Sequence, residues 1–187
     1  MKRTYKIKGI RPLLTHNGQL SDPTNEWTKH IKLISSKRNK TDADHDELSK
    51  REFMGSLYLN KNKVPCIPDH MLEACIISGA RAFKLGKKAE AGIRVIGSAE
   101  LEYDGPKDPD ELYKKEFFLK SRVRIKDASV TRTRPKFEDW TVTFIVDYLE
   151  DTISADDLDK SLKRAGEVSG LGDWRPKYGL FEVVEIK

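Results

Sequence analysis

Residues Arg164 to Gly179 gather the densest set of groups able to hold an anion. Gly166, Gly170, Gly172 and Gly179 punctuate the segment. Arg164, Arg175 and Lys177 surround it, and Trp174 and Tyr178 lie within it. Glycine loses more backbone freedom on folding than any other residue. Several close together mark unusual backbone angles, or a main chain that a ligand must approach closely. Exposed amides in such a loop bind anions. The neighbouring cations make phosphate the matching anion, and the two rings offer cover for a base. The competing reading is a helix C-cap followed by a tight turn.

A second group is periodic. Arg122, Arg124 and Lys126 alternate with Val123 and Ile125, so a strand would project the three cations from one face. Arg132 and Arg134 repeat the arrangement in Val130-Thr131-Arg132-Thr133-Arg134-Pro135. Like charges on one strand face repel, and an anionic partner relieves that cost. Such a surface contacts the backbone of a nucleic acid with few groups for reading bases. The competing reading is an exposed strand protected by charge from edge pairing. Single-strand binding also calls for stacking rings; the candidates are Trp174, Tyr178, Phe137 and Trp140, the last better suited to a core.

Catalytic signals are sparse. The histidines are His16, His30, His45 and His70, and no His-x-x-x-His pair occurs. A lone histidine in a basic site can serve as general acid or base in RNA cleavage, which leaves His16 as the one weak catalytic candidate. Asp42, Asp44, His45 and Asp46 form a possible cation cluster, read more simply as a solvated loop. Walker loops, nucleophile elbows and paired-carboxylate signatures are absent. Cys66 and Cys75 match no zinc spacing and read as buried thiols of a cytosolic protein. No metal or cofactor is expected.

Charge is unevenly spread. The net charge is +5. Lys114 to Lys136 holds nine basic residues against Glu116 and Asp127, whereas Glu138 to Asp159 holds eight acids and no Lys or Arg. The basic stretches point to a polyanion. The acidic one would repel nucleic acid or meet the basic face of another copy. No apolar run reaches bilayer-crossing length, so no membrane partner is expected.

Elements that would position these residues follow from periodicity. Strands are expected near Tyr5–Leu14, Ile93–Tyr103 (bulged at Gly97), Phe117–Lys126, Trp140–Leu149 and Phe181–Ile186. One helix is expected from Asp69, as N-cap, to about Phe83, with Leu72, Ile76 and Ala80 on its apolar stripe. Another starts at Ser154 and buries Leu158, Leu162 and Ala165. Trp27, Ile31 and Ile34 lie at the spacing of a short amphipathic helix. Residues 35–50 read as a mobile polar loop, and Phe53–Leu59 as a strand or turn leading back to the core. The chain is expected to form one domain over residues 1–187, with a flexible insertion at about 16–62. Strand, helix, strands, helix, strand suits an α+β fold, a ferredoxin-like βαββαβ sheet with both helices on one face. The RNA-recognition-motif signature of aromatics among glycines is missing.

Three stretches carry a family resemblance: Val64-Pro65-Cys66-Ile67-Pro68-Asp69-His70-Met71-Leu72-Glu73-Ala74 running into Gly79-Ala80-Arg81; Val130 to Pro135; and Ala165-Gly166 with Gly170-Leu171-Gly172, Arg175 and Gly179. Together they resemble the RAMP superfamily, in particular the backbone subunits that coat guide RNA in CRISPR effector complexes. Pro68-Asp69 stands where that family usually has Pro-Gly, and the chain is short for a backbone subunit. A phage or mobile-element relative is therefore a second form of the resemblance. It implies an RNA-recognition-motif-like core, a hand-shaped insertion and head-to-tail assembly along a single strand.

The leading expectation is a non-enzymatic single-stranded nucleic-acid-binding protein in several copies along the strand, alone or with other effector subunits. Arg122, Arg124, Lys126, Arg132 and Arg134 would contact phosphates, and Gly170, Gly172, Trp174, Arg175 and Lys177 would form a second contact loop. The resemblance favours RNA over DNA and a cytoplasmic setting in a bacterial or phage-infected cell. One alternative is a RAMP-type metal-independent endoribonuclease acting through His16. The other is a phage interaction module or inhibitor that mimics a CRISPR backbone subunit.

Overall fold

A computed structural model describes residues 1–125 and 128–187. Along the chain run β1 (Lys2–Gly9), β2 (Leu13–Leu14), α1 (Glu26–Ser35), α2 (Asp42–Ser56) and β3 (Cys66–Ile67). Next come α3 (Asp69–Arg81), α4 (Gly86–Gly92), β4 (Ile93–Val95), β5 (Ala99–Glu102) and α5 (Pro109–Lys114). The last are β6 (Phe118–Ile125), β7 (Ala128–Phe137), β8 (Thr141–Tyr148), α6 (Ala155–Val168) and β9 (Phe181–Ile186). The chain divides into two compact units. Unit 1 comprises Met1–Leu14, Leu59–Gly105 and Phe137–Lys187; unit 2 comprises Thr15–Tyr58 and Pro106–Lys136.

Unit 1 is an antiparallel sheet in the order β3-β5-β8-β1-β9, with β4 also paired to β8. Gly97, at φ +70, lets the chain break between β4 and β5, which act as two halves of one strand along β8. With α3 after β1 and α6 after β8, this is the ferredoxin-like α+β arrangement. Alternation makes the sheet one-sided. Tyr5 and Ile7 of β1 and Val142, Phe144 and Val146 of β8 are buried, and each such side chain contributes about 1.5–3 kcal/mol. Leu72, Ile76 and Ala80 of α3 are buried, as are Leu158, Leu162 and Ala165 of α6. A Cβ on Gly79 would lie 2.0 Å from the Ser161 carbonyl oxygen, so α3 and α6 touch main chain to main chain. The Tyr5 hydroxyl donates to Asp159 at 2.6 Å, and the Arg3 guanidinium donates to both oxygens of that carboxylate. Burial and this carboxylate push the Tyr5 pKa up.

The opposite sheet face carries mixed charge. Lys6 pairs with Glu102 at 3.2 Å, and Thr143 donates to the same carboxylate at 3.1 Å. The outward residues of β1 and β8 (Lys2, Thr4, Lys6 and Lys8; Thr141, Thr143, Ile145 and Asp147) include no aromatic ring. This face therefore lacks the stacking platform of RNA recognition motifs.

Unit 2 combines the β6–β7 hairpin with α1, α2, α5 and a 3-10 turn, Gly18–Ser21. Its centre is aromatic: Phe53 lies 5.4 Å from Tyr113 and 6.2 Å from Phe118, and Tyr113 stacks on Phe118 at 5.1 Å. The amphipathic helix expected from Trp27, Ile31 and Ile34 is α1, capped by the Asn25 side chain.

Two local expectations are corrected. Residues 35–50 are not an irregular loop, because α2 starts at Asp42 and continues through Phe53 to Ser56. The cause is a capping box: the Thr41 hydroxyl accepts from the Asp44 amide, and the Asp44 carboxylate accepts from the Thr41 amide. Ser49, Glu52 and Phe53 then form a buried side of an otherwise polar helix. At α3 the cap is Pro68, extended at ψ 149, and Asp69 is the first helical residue. Both cysteines are free and buried.

Candidate nucleic-acid interface

The β6–β7 register decides what the basic strands present. Lys120, Arg122 and Arg124 stand opposite Thr133, Thr131 and Ser129. Leu119, Ser121 and Val123 stand opposite Arg134, Arg132 and Val130. Directly paired residues project to the same side. Hence the two basic groups that look alike in sequence occupy opposite faces of one ribbon. On the first face the residues paired with the cations across the ladder carry hydroxyl groups. Arg122 and Arg124 are exposed, as are Ser129 and Thr131. Among the described residues no hydrogen bond or ion pair engages Arg122. Lys120 lies 4.0 Å from Asp46 with both side chains well exposed, a pairing of little energetic weight. Lys126 lies outside the described residues.

β7 is tied to α2 through Arg132 of the second face and Thr133 of the first. Glu52 is buried, at 3 % exposure. Its carboxylate accepts from the Arg132 guanidinium and from the Thr133 amide at 2.8 Å. The Thr133 hydroxyl shares a 2.9 Å hydrogen bond with Ser49. Arg132 is therefore a structural partner of a buried carboxylate first, and a contact group only through its remaining donors.

His16, Arg132 and Arg134 line one cavity of about 340 Å³ with Glu52, Leu20 and Ile31. The His16 Nδ1 lies 3.5 Å from the Ser56 hydroxyl. Thr28, Ile31, Glu52 and Arg132 also border a second cavity, of about 720 Å³. Leu48, Val130, Lys32, Lys40, His45 and Lys120 also line it. This gathering of residues from two distant chain segments was not legible in the sequence.

In unit 1 the glycine loop is held by its own protein. Gly170, Gly172 and Gly179 have φ between +72 and +78, and Trp174 has φ 53. A Cβ on Gly172 would sit 2.1 Å from the Leu14 carbonyl oxygen, and one on Gly179 would sit 1.8 Å from that of Leu171. The close approach that demands glycine is thus to main chain of the same unit. Amides of Gly170, Leu171, Asp173, Tyr178 and Gly179 donate to main-chain carbonyls, and that of Trp174 to the Asp173 side chain. Arg175 and Lys177 remain exposed. Trp174 and Tyr178 are half-buried, with ring centres 6.1 Å apart. An open depression of about 510 Å³ runs past Trp174, Arg175, Ser78 and Ser169. Phe137 and Trp140 are each only 1 % exposed, and the Trp140 indole donates to the Arg11 carbonyl at 2.9 Å. Neither ring is available for stacking.

Among the described residues no group of three or more His, Cys, Asp or Glu side chains is arranged to hold a metal ion. The acidic stretch at Asp42–Asp46 is instead the first turn of α2, where Asp44 is engaged by Lys37 and Thr41. No helix among the described residues is long and apolar enough to cross a membrane. No protein-family model matches the chain, and no curated protein matches it.

Proposed function

We propose that the chain binds single-stranded nucleic acid, RNA by preference, through the β6–β7 ribbon. The observation that carries this reading is the exposed Arg122-Arg124 pair, which stands opposite exposed Thr131 and Ser129. Arginine forks beside serine and threonine hydroxyls are common donors to phosphate oxygens. The ferredoxin-like core interrupted by a second unit also supports the RAMP-like reading, which extends the proposal to several copies along one strand.

The test is a salt titration of Arg122→Ala/Arg124→Ala against the unmodified protein with labelled single-stranded RNA. Removing two exposed arginines leaves stability almost unchanged. The log-affinity against log-salt slope should become shallower by about 1.4, roughly 0.7 per lost phosphate contact. An unchanged slope with unchanged affinity removes the ribbon from the interface.

One observation favours a second reading, endoribonuclease activity: His16 shares a cavity with Arg132 and Arg134. Histidine beside arginines can move a proton while the cations hold the scissile phosphate. Cleavage that disappears in His16→Ala, with binding retained, would establish it; no product from the unmodified protein would exclude it.

A further inference from the structure

Unit 1 carries a cationic surface of its own, where the end of α3 turns into α4 beside α6. Residues 81–90 hold Arg81, Lys84, Lys87 and Lys88 against one acid, Glu90. The four cations and Phe83 are exposed. Printed contacts join them to α6. Lys160 lies over the Phe83 ring at 5.3 Å. Lys160 foremost, and Lys88 more weakly, hold the Asp157 carboxyl below its ordinary range. The Arg81 side chain runs past Gly86, where a Cβ would lie 2.8 Å from its Cγ. Among the described residues no hydrogen bond or ion pair engages the side chains of Arg81, Lys84 or Lys87.

Fold stability does not account for these cations. Lys84 is the left-handed residue that ends α3, at φ 61. Its amide donates to the Arg81 carbonyl at 3.1 Å, and the Leu85 amide to that of Ala80 at 3.0 Å. Glycine usually fills this place in a Schellman turn, and any side chain there costs about 1–2 kcal/mol. Arg81 and Lys84 gain from the dipole of α3, but for Lys84 the gain is no larger than that cost. Lys87 and Lys88 stand in the first turn of α4, where the dipole disfavours cations and no acidic residue accompanies them. An anion from outside supplies the missing partner. Lysines meet phosphate as point charges and lack the fork that reads a guanine edge. Phe83, 41 % exposed, already has Lys160 over one face, so the corner offers no slot for an unstacked base. A surface that meets phosphates and not bases fits a double helix, whose bases are internal and whose backbone carries one charge per about 1.7 Å of axis.

We propose that the α3–α4 corner binds the phosphate backbone of double-stranded nucleic acid, without regard to sequence. The proposal goes beyond the single-strand reading of unit 2 and stands on different residues.

The test is Lys87→Ala/Lys88→Ala in the intact chain, with two labelled probes: a mixed-sequence DNA duplex and single-stranded RNA. Alanine favours a helix, so the thermal midpoint should not fall. The unmodified protein should bind the duplex. In the variant the log-affinity against log-salt slope for the duplex should be shallower by about 1.8, roughly 0.9 per lost phosphate contact, while affinity for the single strand should hold. No duplex binding by the unmodified protein, or an unchanged slope and affinity in the variant, overturns the proposal. So does an equal loss of both probes, which would make the corner part of the single-strand path. Tighter binding of the unmodified protein to phosphatidylserine vesicles than to the duplex also overturns it, and would assign the corner to a lipid surface. Duplex binding weakened in the variant, with no single-strand binding by either protein, would sink the ribbon reading and uphold this one.

Discussion

At Gly172 a single hydrogen atom decides between two uses of a loop. The residue sits at φ +78, and a Cβ there would be 2.1 Å from the Leu14 carbonyl oxygen. Asp173 donates to that same carbonyl at 2.8 Å. Gly172→Val should therefore lose about 2–4 kcal/mol of stability, from positive-φ strain and displaced packing. The folded fraction should bind RNA as before. Thermal midpoint and affinity measured on the same variant separate the cases: a normal midpoint with lost affinity would return the loop to the interface. The glycine cluster was legible in sequence; its acceptors, strands away in the chain, were not. Cys75 makes a second residue-level prediction. Burial pushes its thiol well above the ordinary cysteine range, so the reactive thiolate is scarce at pH 7. Both cysteines should resist a thiol reagent in the native protein and react together on unfolding. Rapid labelling of native Cys75 would contradict its place beneath Gly170, whose carbonyl its sulfur approaches at 3.4 Å.

At the scale of elements, legibility followed periodicity. β1, β8, α3 and α6 bury one regular face, and their apolar residues appear in sequence at strand or helix spacing. α2 lacks such a stripe; its buried side includes Ser49 and Glu52, residues that read as solvent-facing. Only the Thr41-x-x-Asp44 capping box marks its start. Thr41→Ala should cost about 1 kcal/mol and raise proteolysis within residues 42–56, a segment that should be protected in the unmodified protein. Cleavage there at the rate of an unfolded peptide would contradict the helix. Lys37 foremost, then the Thr41 amide, holds the Asp44 carboxyl down to about 2. A depressed acid stabilises the fold above its ordinary range and loses that contribution as pH falls through the folded value. The cap should thus persist at about pH 4 and fail near about pH 2, read by hydrogen exchange of the first α2 turn. The two basic stretches of the hairpin were equally visible in sequence. Their separation onto opposite faces was not, because facing depends on cross-strand register rather than on composition.

The whole chain is a ferredoxin-like unit interrupted twice, after Leu14 and after Gly105, by the two segments that build unit 2. That architecture explains why the candidate site was only half readable. Arg122, Arg124, Arg132 and Arg134 fall within one segment and announce themselves by alternation. His16, Glu52 and Ile31 come from the other segment and join Arg132 and Arg134 only after folding. On the proposed function unit 2 is a polyelectrolyte-binding surface. The most direct test is the affinity of the unmodified chain for mixed-sequence single-stranded RNA, followed from about 50 to about 300 mM salt. About four phosphate contacts predict a log–log slope near −3. Absence of binding at the lowest salt, or a flat dependence on salt, would contradict it.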